Sequence, residues 1–320
     1  MIAVTLDNYV YLDGGVVSQD GYDWRYANPI NATLSIDLSK SWSPDTVEIK
    51  EIDRLPAMSV TSLQAMFADP SSQSFYIWGG SDSFATSQTD TESYWKFSAD
   101  GEGGGAWNRE SPANAQVFRS LDARDAAAVA NTPDAGFIFG GKHIAGSFDN
   151  VEGFVVYNYT TKEWSAELEA PYSGDGTVWG GSATYVEKYG SAGVIFILGG
   201  IAGHDRPHFS FLELETIHFY DVGTQTWYKQ RTTGDERPSR RTQLCAVGVG
   251  GSGTNDTYEM CVTLPSFLLS NANTVVASCT AAEMKTKRRT MVTSGLSVYR
   301  DSGGLKLVTR VAEPGLDRHA

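Results

Sequence analysis

The chain has 320 residues, of which 41% are hydrophobic and 20% charged, and it contains 33 glycines. This composition excludes disorder along the whole chain, and because no run of about 18 apolar residues occurs, no transmembrane helix is expected. The 38 acidic and 25 basic residues give a net charge of −13. That charge would repel a phosphate backbone, which argues against a nucleic-acid partner.

Four short runs of β-branched or aromatic residues each end in two glycines. The four pairs are Gly14 and Gly15, Gly79 and Gly80, Gly140 and Gly141, and Gly199 and Gly200. The intervals between their first glycines are 65, 61 and 59 residues. A self-similar period of this length predicts a repeat architecture.

A tryptophan follows each of these diglycines at nearly the same distance. Trp42, Trp107 and Trp227 lie 27 residues after the second glycine of their pair, and Trp164 lies 23 residues after it. A strand-like run such as residues 154–157 precedes each tryptophan, and a polar link and a new apolar stretch follow it. Each repeat is therefore predicted to contain four strands.

One sheet of about 60 residues cannot bury both of its faces alone, whereas radially stacked sheets cover each other. We expect each tryptophan to fill the space between adjacent sheets, and each diglycine to allow a close approach of two backbones. An apolar strand, two glycines and a trailing tryptophan resemble the kelch repeat, which forms β-propeller blades. The resemblance implies an all-β, kelch-type β-propeller with four recognisable four-stranded blades plus a partial fifth, and the ring is expected to be incomplete.

Residues 12–19, 34–42 and 75–80 resemble the first two blades of ascomycete fungal kelch proteins. Many of those proteins are secreted or anchored to the cell wall or membrane, so the resemblance implies an extracellular or cell-surface location. Residues 1–10 carry no secretory signal. If the chain is secreted, it is expected to be a glycoprotein, with candidate N-glycosylation sites at Asn31, Asn158 and Asn255.

The repeat pattern stops inside the fifth unit. Residues 1–258 are therefore predicted to form the blades, and residues 259–320 an atypical tail that is a degenerate blade or disordered. The tail has no diglycine with a tryptophan behind it and contains a basic cluster at residues 285–289. Two explanations stay open: degenerate blades that close the ring, or a tail that is not native kelch sequence because the reading frame or intron boundaries differ. The second is favoured because strand patterning and turn chemistry fail together.

The loops that follow the diglycines supply the candidate binding residues, because loops on a rigid scaffold often carry function. The first such loop interleaves aromatic and charged residues, which suit a sugar ring or a peptide. The third begins with Lys142. The fourth has two histidines four residues apart, but Gly203 and Pro207 place them on a loop, where this spacing does not bring them together on one metal as it would on a helix. The ligand-rim candidates are Tyr22, Trp24, Tyr26, His143, His204, Arg206 and His208.

Several charged residues flank the predicted strands. We expect ion pairs with neighbouring carboxylates for the arginines that precede first strands, and turn-capping roles for two aspartates near strand ends. These arginines are Arg119, Arg124, Arg240 and Arg241, and the aspartates are Asp37 and Asp221.

The sequence predicts a binding or scaffold module that contacts a protein or a cell-surface glycan through loops on one rim. The acidic charge favours a neutral or basic partner. No catalytic residue, metal or cofactor is expected, because no matching copper or iron motif and no hydrolase or nucleotide motif is present. Two alternatives stay open: a carbohydrate oxidase resembling galactose oxidase, and a fragment without activity that is truncated or has incorrect exon boundaries.

Overall fold

Antiparallel strands make up nearly all of the regular structure. The structure is a computed structural model that describes residues 2–17, 28–43, 46–81, 93–144, 149–203, 208–232, 240–250, 258–263, 294–301 and 304–311. Within these residues, no helix has the length and apolarity needed to cross a membrane.

The first sheet is formed by the amino-terminal strands in the order β1-β2-β5-β6. Its elements are β1 (Ile2–Leu6), β2 (Tyr9–Asp13), the short pair β3 (Val16–Val17) and β4 (Asn28–Pro29), β5 (Ala32–Asp37) and β6 (Lys50–Asp53). Every neighbouring pair is antiparallel. The β3–β4 pair begins directly after the first diglycine and forms a separate small ribbon.

Three more four-stranded sheets repeat this arrangement along the chain. The second contains β7 (Ala65–Asp69), β8 (Ser74–Trp78), β9 (Tyr94–Ala99) and β10 (Gly105–Arg109), followed by the short helix α1 (Ala115–Arg119). In the third unit, β11 (Arg124–Asp125) precedes the sheet, which consists of β12 (Ala128–Asn131), β13 (Ala135–Phe139), β15 (Phe154–Asn158) and β16 (Trp164–Glu167). The strand β14 (Lys142–His143) follows β13 and pairs with β11 outside this sheet. The sheet of the fourth unit consists of β17 (Ser182–Val186), β18 (Val194–Leu198), β21 (Thr216–Asp221) and β22 (Thr226–Arg231). Between β18 and β21, the strands β19 (Ile201–Ala202) and β20 (Ser210–Phe211) form a separate pair.

A fifth unit begins with the antiparallel pair β23 (Cys245–Gly250) and β24 (Tyr258–Thr263). Residues nearer the carboxyl terminus form a second pair, β25 (Ser294–Asp301) and β26 (Gly304–Val311). The first strands of successive sheets are neighbours, β1 beside β7, β7 beside β12, β12 beside β17, and β17 beside β23. The predicted all-β fold with four four-stranded units and a partial fifth is confirmed. The division at residue 258 and the two explanations for the tail stay predictions.

Aromatic side chains fill the spaces between successive sheets. The residue three positions before each of the first three diglycines faces the following sheet: Tyr11 lies 5.3 Å from Phe97, and Tyr76 lies 5.0 Å from Tyr157, measured between ring centroids. The same position in the third sheet is Phe137, which contacts the fourth sheet. Large apolar areas are thereby removed from water at each sheet boundary, which is the main stabilising contribution of such stacked units.

Three of the four repeat tryptophans lie between sheets. Trp107 packs with residues of both the first and second sheets, and its Nε1 donates to Thr33 Oγ1 at 2.9 Å. Trp164 lies 5.0 Å from Trp78 of the preceding sheet, and Trp227 lies 5.9 Å from Phe154. Each of these three tryptophans is part of the outermost strand of its own sheet. From there it covers the preceding sheet.

Trp42 has a different position. It lies outside any strand, between β5 and β6, and packs with Val47 and Ile49 against Val10 and Leu34. These residues form the face of the first sheet opposite to the one that contacts the second sheet. Among the described residues, Trp42 therefore packs against one four-stranded sheet, not between two.

The first strands of the four sheets also surround a cavity of about 770 Å³. Ala3 and Thr5 of β1 lie on one side of it, and Asn131, Pro133 and Tyr185 lie on others. These residues are near the turns that follow the first strands, at the end of the sheets opposite to the diglycines.

Candidate functional site

Each diglycine joins its sheet to the segment that leads into the next one. The first and second glycines all have positive φ, between 58° and 104°. The second glycine of each pair donates its N–H to a backbone carbonyl of the next unit: Gly15 to Thr61 at 3.1 Å, Gly80 to Arg124 at 3.0 Å, Gly141 to Val178 at 2.7 Å, and Gly200 to Arg241 at 2.8 Å. The approach is so close that a Cβ on Gly140 would lie 2.0 Å from the Val178 carbonyl oxygen.

A second set of hydrogen bonds runs around the same end of the molecule, and we name its four residues the left-handed ring. Ala126 donates its N–H to the Leu63 carbonyl at 2.9 Å, Gly180 to Ala126 at 2.8 Å, and Gln243 to Gly180 at 2.6 Å. All four residues have φ between 52° and 62°. Leu63, Ala126 and Gln243 are strained there because a side chain disfavours this conformation.

Side chains next to the left-handed ring form the surface that we name the diglycine mouth. The residue before each of the first three ring members pairs with the residue that follows a diglycine: Ser62 with Ser81, Asp125 with Lys142, and Trp179 with Ile201. The backbone geometry is thus the same in three units, whereas the side chains are unlike. This combination of fixed backbone and variable chemistry is typical of a recognition surface.

Lys142 connects two units at the diglycine mouth. Its Nζ lies 3.4 Å from Asp125 Oδ1 and 4.9 Å from the centroid of the Trp179 ring. The carboxylate and the electron-rich ring face both attract the ammonium group. Phe209 packs against Trp179 with ring centroids 6.2 Å apart, so the indole is supported from a neighbouring loop.

Arg124 lies buried beneath this surface and corrects one prediction. Its Nε donates to the Asp122 carbonyl at 3.0 Å and its Nη1 to the Gly140 carbonyl at 3.1 Å, so it bonds to backbone oxygens and not to a carboxylate. Arg124 does not form the predicted ion pair because its side chain points inward, with its guanidinium carbon 5.8 Å from the centroid of the Trp78 ring. Burial lowers the pKa of Arg124 to about 10, which still leaves it charged at neutral pH. Arg240 does form the expected ion pair, with Glu213.

The structure places two of the seven ligand-rim candidates. His143 is on β14, with Nδ1 3.9 Å from Asp122 Oδ1, and His208 is exposed just before β20. Tyr22, Trp24, Tyr26, His204 and Arg206 lie outside the described residues. A role in ligand binding stays a prediction for all seven candidates. Among the described residues, no group of three or more His, Cys, Asp or Glu side chains is arranged to hold a metal ion.

The candidate glycosylation sites are in unlike surroundings. Asn31 is exposed, but the hydroxyl of its sequon partner Thr33 is buried and donates to Asp13. Asn158 Oδ1 accepts the N–H groups of Thr160 and Thr161 in a turn. Asn255 lies outside the described residues, and glycosylation at all three stays a prediction.

Sequence reasoning missed Asp125 and Trp179 as parts of the diglycine mouth. The signal that marks them is their place one residue before a left-handed residue. Only at Gly180 is that residue a glycine, so the sequence shows the signal once among the three units that share it.

Comparison with known proteins supports the same fold family. No protein-family model matches the chain. The chain is 25% identical over 286 residues to a kelch repeat-containing protein of Arthroderma benhamiae. The fold is that of a kelch-type β-propeller. The four sheets are its blades, and in sequence the chain is similar to this fungal kelch repeat-containing protein.

The kelch match covers 70% of this chain and 38% of the relative. The chain therefore spans less than half the length of the protein that it matches. What the whole relative does is not carried over to this chain by the match alone.

Proposed function

We propose that the protein is a kelch-repeat scaffold that binds a protein partner at the diglycine mouth. The single observation that supports this most directly is the pairing of Ser62, Asp125 and Trp179 with the residues behind the diglycines. These three equivalent backbone positions carry unlike side chains: a partly exposed hydroxyl, a buried carboxylate and a partly exposed indole. The likeness to a fungal kelch repeat-containing protein agrees with a scaffold role.

The chemistry of the mouth suggests which partner fits. Trp179 and Phe209 offer flat apolar surface, and aromatic residues are enriched at the energetic centres of interfaces. Asp122 is well exposed beside His143 and offers a carboxylate to a cation on the partner. The net charge of −13 gives the whole surface a field that attracts basic groups. We therefore propose a protein partner that presents basic side chains around an apolar residue.

Affinity capture with matched variants tests this proposal. The wild-type chain would be used as bait in an extract of its own cells, next to Trp179→Ala and Tyr228→Ala. Trp179 offers the apolar surface of the mouth, whereas Tyr228 is an exposed aromatic residue on the outermost strand β22. Circular dichroism would first show that both variants remain folded.

The proposal expects a protein retained by the wild type and by Tyr228→Ala but lost with Trp179→Ala. Loss of one centrally placed contact commonly weakens binding by about ten-fold or more. Equal retention by both variants would place the binding surface elsewhere. Binding to a glycan array without any retained protein would favour the glycan interpretation instead.

A further inference from the structure

The first blade has an apolar face that is turned away from the second blade, and we name it the outer face. Val10 and Leu12 of β2 and Leu34 and Ile36 of β5 lie on it. These four side chains are only 3%, 1%, 0% and 1% exposed, in that order. Burial this complete requires apolar groups that cover the face from outside.

The fourth blade, at the other end of the row of complete blades, shows a face with less cover. Phe219 of β21 and Tyr228 of β22 stack on the side away from the third blade, with ring centroids 5.6 Å apart. Tyr228 is 46% exposed and Phe219 is partly exposed. The outer face of the first blade is therefore the better covered of the two end faces.

Two elements lie beside the outer face. The link before β6 contributes three partly exposed side chains that pack there, Trp42, Val47 and Ile49. At the diglycine end, Ile30 is 7% exposed and donates its N–H to the Gly15 carbonyl at 3.0 Å. The strand β3 begins at this same end, and β25 of the carboxyl-terminal hairpin lies beside it.

The hairpin formed by β25 and β26 has one apolar face. Alternate residues of a strand share a face, and residues paired across an antiparallel ladder share it too. The pairing of Val298 with Leu307 therefore places Leu296, Val298, Leu305 and Leu307 at positions of one face. The opposite positions include Ser297, Lys306 and Arg310. A two-stranded hairpin is marginal by itself, so this apolar face needs a partner surface.

The charge of the hairpin suits the rest of the chain. Residues 294–311 contain three basic residues and one acidic residue, whereas the whole chain has a net charge of −13. A positive segment is attracted to acidic blades and is not repelled by them.

We propose that the hairpin β25–β26 packs with its apolar positions against the outer face of the first blade, at the diglycine end. The observation that carries this is the place of β25 beside β3, next to an apolar face that is almost fully buried. The hairpin then covers the first blade where a complete blade would otherwise lie. This gives the tail a place in the native fold and favours degenerate closure of the ring over a tail of non-native sequence. The inference is independent of binding at the diglycine mouth.

Amide hydrogen exchange of the full wild-type chain, read by mass spectrometry, tests the packing. We expect the amides of β25 and β26 to exchange about ten-fold or more slowly than those of a free peptide of residues 294–311. Light scattering should show a monomer. Exchange as fast as in the free peptide would overturn the proposal. A dimer that dissociates with loss of protection in β2 and β5 would overturn it in favour of a second copy on the outer face.

Two neighbouring substitutions show which surface the hairpin covers. Leu307→Asp puts a charge at an apolar position, and Val308→Asp puts the same charge at the opposite face of the same strand. We expect Leu307→Asp to speed exchange in β2 and β5 by about ten-fold or more, because the outer face loses its cover. Val308→Asp should leave these two strands at the wild-type rate.

Equal exchange of β2 and β5 in both variants would mean that the hairpin does not lie on the outer face. If Leu307→Asp does not fold, Leu307→Ala and Val308→Ala replace the pair. The same order of rates is then expected, with a smaller difference, and equal rates would again overturn the proposal.

Discussion

The joint between the third and fourth blades gives the sharpest prediction, through the substitution Gly140→Ala. Gly140 has φ of 58°, and an added Cβ would lie 2.0 Å from the Val178 carbonyl oxygen. An alanine in the left-handed region costs about 1–2 kcal/mol. Displacing Val178 also breaks the 2.7 Å bond from Gly141, which contributes about 0.5–1.5 kcal/mol. Together they give an expected loss of about 1.5–3.5 kcal/mol in the free energy of unfolding, measured by urea denaturation.

Two other glycines separate backbone strain from blade joining. Gly101 has φ of 79°, and no described atom lies within 4 Å of an added Cβ, so Gly101→Ala should cost only the left-handed penalty. Gly174 is equally open and has no φ in the left-handed range, so Gly174→Ala should be neutral or slightly stabilising. If Gly140→Ala costs no more than Gly101→Ala, the close approach between blades does not hold them together.

Three further outcomes follow from the packing and the charges. Trp164→Ala should cost about 3–5 kcal/mol in unfolding free energy, and more than Trp42→Ala, because Trp164 is buried between two blades; equal losses in urea unfolding would contradict this. Arg124→Lys should lower the unfolding free energy by about 1–3 kcal/mol in the same assay, because a lysine cannot reach both carbonyls to which Arg124 donates. An unchanged urea midpoint would show that those two bonds do not stabilise the protein. Burial and the nearby Lys229 lower the pKa of His218 below its usual 6.5, so the unfolded chain takes up the proton first and stability falls as the pH drops below about 6.5. Thermal unfolding at pH 7.5 and 5.5 should show a smaller pH effect in His218→Gln than in the wild type, and identical pH effects would refute the assignment.

The repeat itself was readable because its signals are local. A diglycine ends each second strand, and an aromatic residue three positions earlier faces the next blade, as Tyr76 and Phe137 do. Both features recur at a nearly constant distance from the preceding turn, so a single sequence reveals them. The two turn-capping aspartates were predicted for the same reason: Asp37 accepts from the Ser39 N–H, and Asp221 accepts from the Thr224 N–H.

The position of Trp42 was not readable from the repeat. The outermost strand of the first blade is β6, which starts eight residues after Trp42 and has the sequence Lys-Glu-Ile-Asp. One apolar residue among four gives no periodic signal for a strand. In the other three blades, the tryptophan itself belongs to the outermost strand, so the equal spacing concealed a different local structure.

The composition of the diglycine mouth also needed three-dimensional information. The distance along the chain from the second glycine to its carbonyl partner is 46, 44, 37 and 41 residues in the four joints. Loop lengths absorb these differences, so no fixed spacing marks Thr61, Arg124, Val178 and Arg241. The left-handed conformations of Leu63 and Gln243 are imposed by tertiary hydrogen bonds against the preference of these residues.

The left-handed ring has a consequence for how this surface can evolve. Each of its links is made by main-chain atoms, from Leu63 through Ala126 and Gly180 to Gln243. Replacing a neighbouring side chain, such as Trp179, leaves the link itself intact. Side-chain changes at the diglycine mouth can therefore accumulate step by step, while every intermediate sequence keeps these main-chain links between units.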